Sequence, residues 1–330
     1  MNLKDANHDV KFAVEVAQRA GLLGQYIQKR MTEPALEKED QSPVTVADFA
    51  IQALVGYLLQ GQARPDSLVA EETTGLLQAE KGEKTLKQVV KFLSKAGLPS
   101  NSKAVCKWID WGLGMPEGRY WTLDPVDGTK GFLRQEQFAT ALALIENGQV
   151  QIGVLACPNL MFPGNTLAQP GSLFLAIRGE GSWGRSLGGE TVFHPLQVSV
   201  IDSPRNMRMI RSVEAGHTNT DLFAKILQRL GCRPEPILMD SQAKYGLLAS
   251  GQGELMLRLI SSVRLNYKER IWDHAAGSLV VEEAGGKVTD LDGKDLDFSQ
   301  GSTLAKNRGV VASNGAIHNE ALAIIHKLGG

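Results

Sequence analysis

The stretch Trp121-Thr122-Leu123-Asp124-Pro125-Val126-Asp127-Gly128-Thr129 constrains the fold of this 330-residue chain more than any other. An apolar run with strand character ends in two carboxylates, Asp124 and Asp127. Pro125 fixes one φ angle and Gly128 permits a sharp turn. A turn of this kind aims both carboxylates and the Val126 carbonyl into one small volume, and hard oxygen ligands of that sort suit Mg²⁺. Gly128, Thr129 and Lys130 are expected to open a short helix, whose free N–H groups favour phosphate. A bare Asp-Pro-x-Asp is more often a solvated turn with Asp as a helix cap. The apolar flanks and the Gly-Thr-Lys-Gly continuation weaken that plainer reading.

Three other segments carry candidate chemistry. Ser67-Leu68-Val69-Ala70 reads as a buried strand that stops at Glu71-Glu72; paired acids at a strand end can complete a two-metal site or form a charged loop. Trp272-Asp273-His274-Ala275-Ala276-Gly277 opens an apolar helix over 273–284, ended by Gly285-Gly286. Asp273 is a good N-cap there, and an acid at a cap can also face a metal. His274 is read as a packed helix histidine and is given no role. Asp40 to Asp48 leads into a helix over 44–60, with Ser42 or Thr45 as its cap.

Around these segments the pattern is that of a soluble globular protein with 43% hydrophobic and 22% charged residues. Helical spacing marks 8–30 and 80–95, and 97–118 reads as a surface excursion. Residues 119–200 look like an antiparallel meander, with Asn147-Gly148 between two apolar runs as a hairpin turn. From 201 onward, strands alternate with helices, as in an α/β layer. The expected division is an N-terminal α+β part over 1–200 and a C-terminal α/β part over 201–330. A formal net charge of −1 gives no global field to hold nucleic acid or an anionic membrane. No apolar run reaches membrane-span length, and the N-terminus lacks an apolar signal core, so a cytoplasmic location is expected. Cys106, Cys157 and Cys232 are far apart and form no CxxC pair, so reduced, structural thiols are expected rather than zinc or disulfides.

Taken together, SPVTVAD, LVAEE, LDPVDGTKGF and IWDHAAG resemble the inositol-monophosphatase-type superfamily of lithium-sensitive phosphatases, from about residue 8 to 328. Within it the sequence is most similar to the 3′(2′),5′-bisphosphate nucleotidases. That similarity lies in DPVDGTKGFLR (124–134), GVLACPNL (153–160), Glu214-Ala215-Gly216-His217, DSQAKYG (240–246) and the Lys-Glu-Arg before Ile271-Trp272-Asp273. The connection 259–270, LISSVRLNYKER, is longer than the family pattern and falls beside the expected base pocket.

The resemblance implies a layered α-β-α-β-α sandwich with its active site between the two parts. It implies two or more Mg²⁺ ions held by Glu71, Asp124, Asp127, Asp273 and the Val126 carbonyl. Asp48 with Thr129 would activate the attacking water. Thr129, His217, Ser241, Lys244, Arg258 and Asp273 would contact the substrate, a small phosphorylated nucleotide. The implied reaction takes adenosine 3′,5′-bisphosphate to AMP and phosphate, with its sulfated form as a second substrate. Two alternatives are an inositol phosphate phosphatase and, from another class, a catalytically silent nucleotide sensor. Against the sensor stands the full set Asp48, Glu71, Asp124, Asp127, Thr129 and Asp273, since a sensor need not keep a base and a water-orienting hydroxyl.

Overall fold

The structure is a computed structural model that describes residues 1–162, 171–188, 192–213, 219–260 and 267–329. Helix α1 (His8–Gln28) starts where Asn7 accepts the Val10 N–H. A small hairpin, β1 (Leu36–Glu37) and β2 (Pro43–Val44), precedes α2 (Val46–Gln60). Thr45 caps α2, and Asp48 returns to the Thr45 N–H in a capping box.

Strand β3 (Ser67–Ala70) is followed by α3 (Gly75–Gln78), α4 (Glu83–Lys95) and α5 (Ser102–Asp110). Helix α5 corrects the surface excursion expected over 97–118. Asn101 caps it by accepting the Ala104 N–H, and its Val105, Trp108 and Ile109 lie at helical spacing and are buried against α2. The turn residues on either side mask that periodicity.

Seven strands form the first sheet in chain order: β3, β4 (Arg119–Asp127), β5 (Ala139–Glu146), β6 (Gln149–Cys157), β7 (Ser172–Ile177), β8 (Gly181–Ser186) and β9 (His194–Pro195). The pair β3–β4 is parallel, and β4 to β9 form the expected antiparallel meander. Asn147 and Gly148 make the β5–β6 turn with positive φ angles. A short helix, α6 (Thr129–Leu133), follows β4.

The second sheet has the order β11-β10-β12-β14-β13. It contains β10 (Met209–Arg211), β11 (Ile237–Leu238), β12 (Leu255–Arg258), β13 (Lys287–Thr289) and β14 (Val310–Ser313). It is parallel across β11, β10 and β12, where helices α7 (Thr220–Leu230) and α8 (Ala243–Ala249) make the crossovers, and antiparallel across β12, β14 and β13. Helices α9 (Ala275–Glu283) and α10 (His318–Lys327) complete the chain.

Burial orders these elements into five layers. Helices α1 and α2 cover one face of the seven-stranded sheet, where Val14 and Ala17 meet Trp121, Leu123 and Val154. Helices α8 and α9 fill the space between the two sheets, joining Phe174 and Ala141 on one side to Met256 and Ala312 on the other. Helices α7 and α10 cover the far face of the second sheet. The α-β-α-β-α arrangement matches the expected architecture. Among the described residues, no helix is long and apolar enough to cross a membrane.

The central layer is packed to backbone distance. A Cβ placed on Gly153 of β6 would lie 2.7 Å from the Ala276 carbonyl oxygen of α9, so only glycine allows this approach. Gly153→Ala should therefore push α9 off the sheet and destabilise the protein by about 1–3 kcal/mol, read as a lower urea midpoint with an unchanged m-value. An unaltered midpoint would show that α9 packs more loosely than this contact requires.

Candidate active site

Two strand ends and one turn converge. Because β3 and β4 are parallel and Ala70 pairs with Leu123, Glu71 emerges beside Asp124. Side chains alternate along β4. Trp121 and Leu123 point at α1 and α2, whereas Tyr120 belongs to the cluster around α8 and α9 and Asp124 shares its direction. Past Asp124 the ladder with β5 shifts register: Asp124 pairs with Ala141, and Asp127 with Ala139. Three steps on β4 thus answer two on β5, which is a bulge, and bulges re-aim side chains. Pro125 lies in this irregularity and its carbonyl accepts the Thr140 hydroxyl at 2.8 Å. Gly128 follows at φ 86°, a left-handed conformation that favours glycine, and starts α6.

Asp273 comes from the opposite layer. It ends a 3₁₀ turn, Ile271–Asp273, that packs against β4. This corrects its expected place as the N-cap of α9, where His274 stands instead, with no side-chain cap hydrogen bond. The 3₁₀ turn lets Asp273 project into the inter-sheet space before the helix begins.

The electrostatics of the cluster follow from burial and like charge. The Asp124 carboxyl is held well above the ordinary carboxylate range by burial first, then by Glu71, Asp127, Asp273 and Asp48. Burial also raises Asp273 well above its usual value, against the pull of Arg258. Asp127 is raised by burial, and Lys244 and the Gln242 N–H oppose that rise. Burial pushes Asp48 up to about 7, although Lys38 and the Thr45 bonds favour its ionised form. One oxygen of Asp124, Oδ1, is buried without a hydrogen-bond partner. A set of oxygen donors, mutually repelling, with an orphaned buried oxygen at its centre fits a hard divalent cation.

Other predicted residues fall around this cluster. The Thr129 hydroxyl donates to the Val126 carbonyl at 3.1 Å. Asp48 accepts from both the N–H and the hydroxyl of Thr45, each at 2.7 Å. No hydrogen bond joins Asp48 to Thr129 among the described residues. Ser241, at φ 67°, packs on Gly128, and its hydroxyl accepts the Ala243 N–H. The Gln242 N–H donates to Asp127 Oδ2 at 2.6 Å, tying α8 to the β4 turn. Lys244 extends from α8 to the Ser212 hydroxyl at 3.3 Å; burial lowers its ammonium to about 8 despite Asp127 nearby. Arg258 ends β12 and pairs with Glu269. His217 lies outside the described residues.

The sequence reading missed three participants. Lys38, in the β1–β2 turn, reaches Glu71 at 2.6 Å and Glu72 at 2.5 Å. Burial alone would lower its ammonium, but the two glutamates overrule that and raise it. Gln52 of α2 is fully buried and grips the Glu72 backbone, donating to its carbonyl at 2.6 Å and accepting its N–H at 2.9 Å. Glu269 and His274 form the third; their atoms and those of Asp273 come within 4.8 Å of one another. Burial acts to raise Glu269, yet Arg258 and His274 hold it down at about 2. The position of Lys38 just ahead of Asp40-Gln41-Ser42-Pro43 was the available signal for the first.

A family model described as the inositol monophosphatase family matches residues 5–329. The chain belongs to this family. Its members are metal-dependent phosphatases. An Oryza sativa protein called 3′(2′),5′-bisphosphate nucleotidase is 42% identical over 324 residues, covering 92% of this chain and 88% of its own. A Schizosaccharomyces pombe protein of the same name is 38% identical over 332 residues, covering 94% and 93%. Among solved structures, a Thermotoga maritima IMPase aligns with a TM-score of 0.65 at 20% identity over 98% of both chains. CysQ from Bacteroides thetaiotaomicron, a bacterial member of the inositol monophosphatase family, aligns at 0.59 and 18% over 92% and 96%. At these identities the structures bear on fold alone, and that fold is the layered one described above.

Asp48, Asp124, Asp127 and Asp273 bind protons more tightly folded than unfolded, where aspartate titrates near ~3.9. Their stabilising protonation is complete below that value and is lost as pH rises through the raised folded values, to about 7 for Asp48. Glu269, lowered, changes only below the ordinary glutamate range and is constant in this window. His318, lowered to about 4 by burial, adds stability over the same interval, so the cluster is read as a difference: in chelator, the melting temperature of Asp124→Asn should gain on that of wild type as pH rises from 5 to 7. A constant difference between the two proteins over that interval would contradict the cluster's mutual repulsion.

Proposed function

We propose that this chain is a magnesium-dependent phosphatase that removes the 3′-phosphate of adenosine 3′,5′-bisphosphate, giving AMP and inorganic phosphate. Its sulfated counterpart is the proposed second substrate, and lithium inhibition belongs to the same reading. One juxtaposition carries it: a cluster of oxygen donors with an orphaned Asp124 oxygen borders two cations, Lys244 and Arg258, that share the electrostatic field of Asp127. The names of the relatives at 38% and 42% identity support the choice of a bisphosphate nucleotide.

In this reading Glu71, Asp124, Asp127, Asp273 and the Val126 carbonyl would hold Mg²⁺. When bound, magnesium neutralises phosphate charge and makes water a better nucleophile. Asp48 takes the proton of the attacking water, and a carboxyl near 7 can both accept and release it at neutral pH. Thr129 orients that water from the first turn of α6. Lys244 and Arg258 hold the second phosphate, with Ser241 and His217 toward the nucleoside. The proposed division of labour places most metal ligands in residues 1–200 and the nucleotide contacts in 201–330.

Two measurements test the reading. Asp124→Asn keeps the side-chain shape but removes a ligand charge. Loss of an outer-shell partner already costs about 10- to 100-fold, so a ligand should cost on the order of 100-fold or more. Phosphate release from the bisphosphate with and without MgCl₂ reads this out, and near-normal turnover in limiting Mg²⁺ would remove Asp124 from the site.

The second measurement concerns Lys244, which must be protonated to pair with phosphate. Its ammonium, lowered to about 8, loses its proton as pH rises past that point, and a cation on Asp127 can only lower it further. Hence kcat/KM for the bisphosphate should decline at or below about pH 8, since this ratio reports the free enzyme. Lys244→Arg, protonated throughout, should abolish the decline. Superimposable pH profiles for the two proteins would exclude Lys244 as the phosphate cation.

A further inference from the structure

Resting on the function proposed above, we infer that Glu269, braced by His274 and Tyr245, is a positioning residue that aims Arg258 at the second phosphate and so sets the preference for bisphosphates. The residues come from four separate places in the chain. Arg258 ends β12, Glu269 lies in the connection before the 3₁₀ turn, His274 follows that turn, and Tyr245 belongs to α8.

Arg258 Nε donates to Glu269 Oε1 at 3.1 Å, and its Nη2 lies 3.1 Å from Oε2. Both carboxylate oxygens are thus used on one edge of the guanidinium, which fixes its plane. Glu269 is itself held: His274 Nε2 is 3.2 Å from Oε2, and His274 Nδ1 is 2.8 Å from the Tyr245 hydroxyl. Glu269, His274 and Tyr245 are all buried. With Nε2–H donated to the carboxylate, Nδ1 accepts from the phenol, and one tautomer satisfies the whole chain. Gly277 makes room for it, because a Cβ there would lie 2.2 Å from the Tyr245 ring.

The proximity of Glu269, Asp273 and His274 could also be read as a metal site. The hydrogen bonds argue against that. Both oxygens of Glu269 and both nitrogens of His274 are already committed. The group is a clamp on an arginine.

Orientation is what an arginine at a strand end otherwise lacks. Its long side chain samples many rotamers, and a fixed fork loses less freedom when an anion arrives. The guanidinium also meets the phenol of Tyr267, which is 41% exposed. A phosphate displaces that neutral oxygen readily. The Lys-Glu-Arg run before Ile271-Trp272-Asp273, otherwise without a function, acquires one through its central residue.

The test compares adenosine 3′,5′-bisphosphate with adenosine 3′-phosphate, which lacks the second phosphate. Glu269→Gln keeps the shape but turns one acceptor into a donor facing Arg258. It should raise KM for the bisphosphate about tenfold with kcat changed less than twofold, and should lower the preference over the monophosphate by nearly the same factor. A merely structural lesion would reduce kcat equally on both substrates. Tyr245→Phe removes a single hydroxyl at the far end of the chain and should shift the preference the same way, about two- to fivefold; it decides the matter if Glu269→Gln does not fold. If wild type prefers the bisphosphate and both variants keep that preference, the clamp is wrong and the proposed function stands. If wild type itself shows no preference, the proposed function falls and the clamp falls with it.

Discussion

Carboxylates do not gather in a protein interior unless the fold compels them, and the repulsion among Asp48, Asp124, Asp127 and Asp273 is the constraint on which this structure turns. Desolvation and like charge both disfavour the arrangement. It persists because each acid is fixed by an element that the core holds elsewhere. Asp124 sits on β4 between β3 and β5, and Asp48 is locked in the capping box of a buried helix. Asp273 rides on a turn whose following helix packs to backbone distance on Gly153. The stabilising energy lies in the apolar layers, and the site draws on it.

Cations inside the protein offset part of that cost. Lys38 spans Glu71 and Glu72, while Lys244 and Arg258 border Asp127. The Asp124 oxygen without a partner marks where protein cations stop. An apolar core of the same volume would be more stable, so the uncompensated charge is best explained by a ligand that the residues await.

The β4 turn is legible in the sequence because its signals are local: an apolar strand, a fixed proline φ and a glycine that takes the left-handed conformation. The meander is legible for the same reason, through Asn147-Gly148. Long-range placement is not. Nothing near Lys38 states that its ammonium lands 33 residues away on Glu71. Likewise, the parallel pairing that sets Glu71 beside Asp124 requires a crossover through α3, α4 and α5. Helix α5 itself is hidden by the turn formers beside it. Asp273 misleads because an acid before an apolar helix is ordinarily its cap, and only the packing of the 3₁₀ turn on β4 reveals another use. The packed-histidine reading of His274 is right about burial and silent about its partners, since Glu269 and Tyr245 come from other elements.

Helix α8 joins the two halves of the site, and its short length explains how. Within seven residues and the turn before it, Gln242 donates its N–H to Asp127 and its side chain to the Trp272 carbonyl, Lys244 faces the field of Asp127 and Asp273, and Tyr245 holds His274. A helix this short is too brief to be stable through its own backbone hydrogen bonds. Its position is therefore set by Phe174 of the first sheet, whose ring meets Gly246, and by Gln242 and Tyr245, which reach the α9 segment. Any shift of α8 would move the N–H that Asp127 accepts and the Lys244 ammonium together. The acids of the first sheet and the Lys244 cation are thus registered against each other by one element.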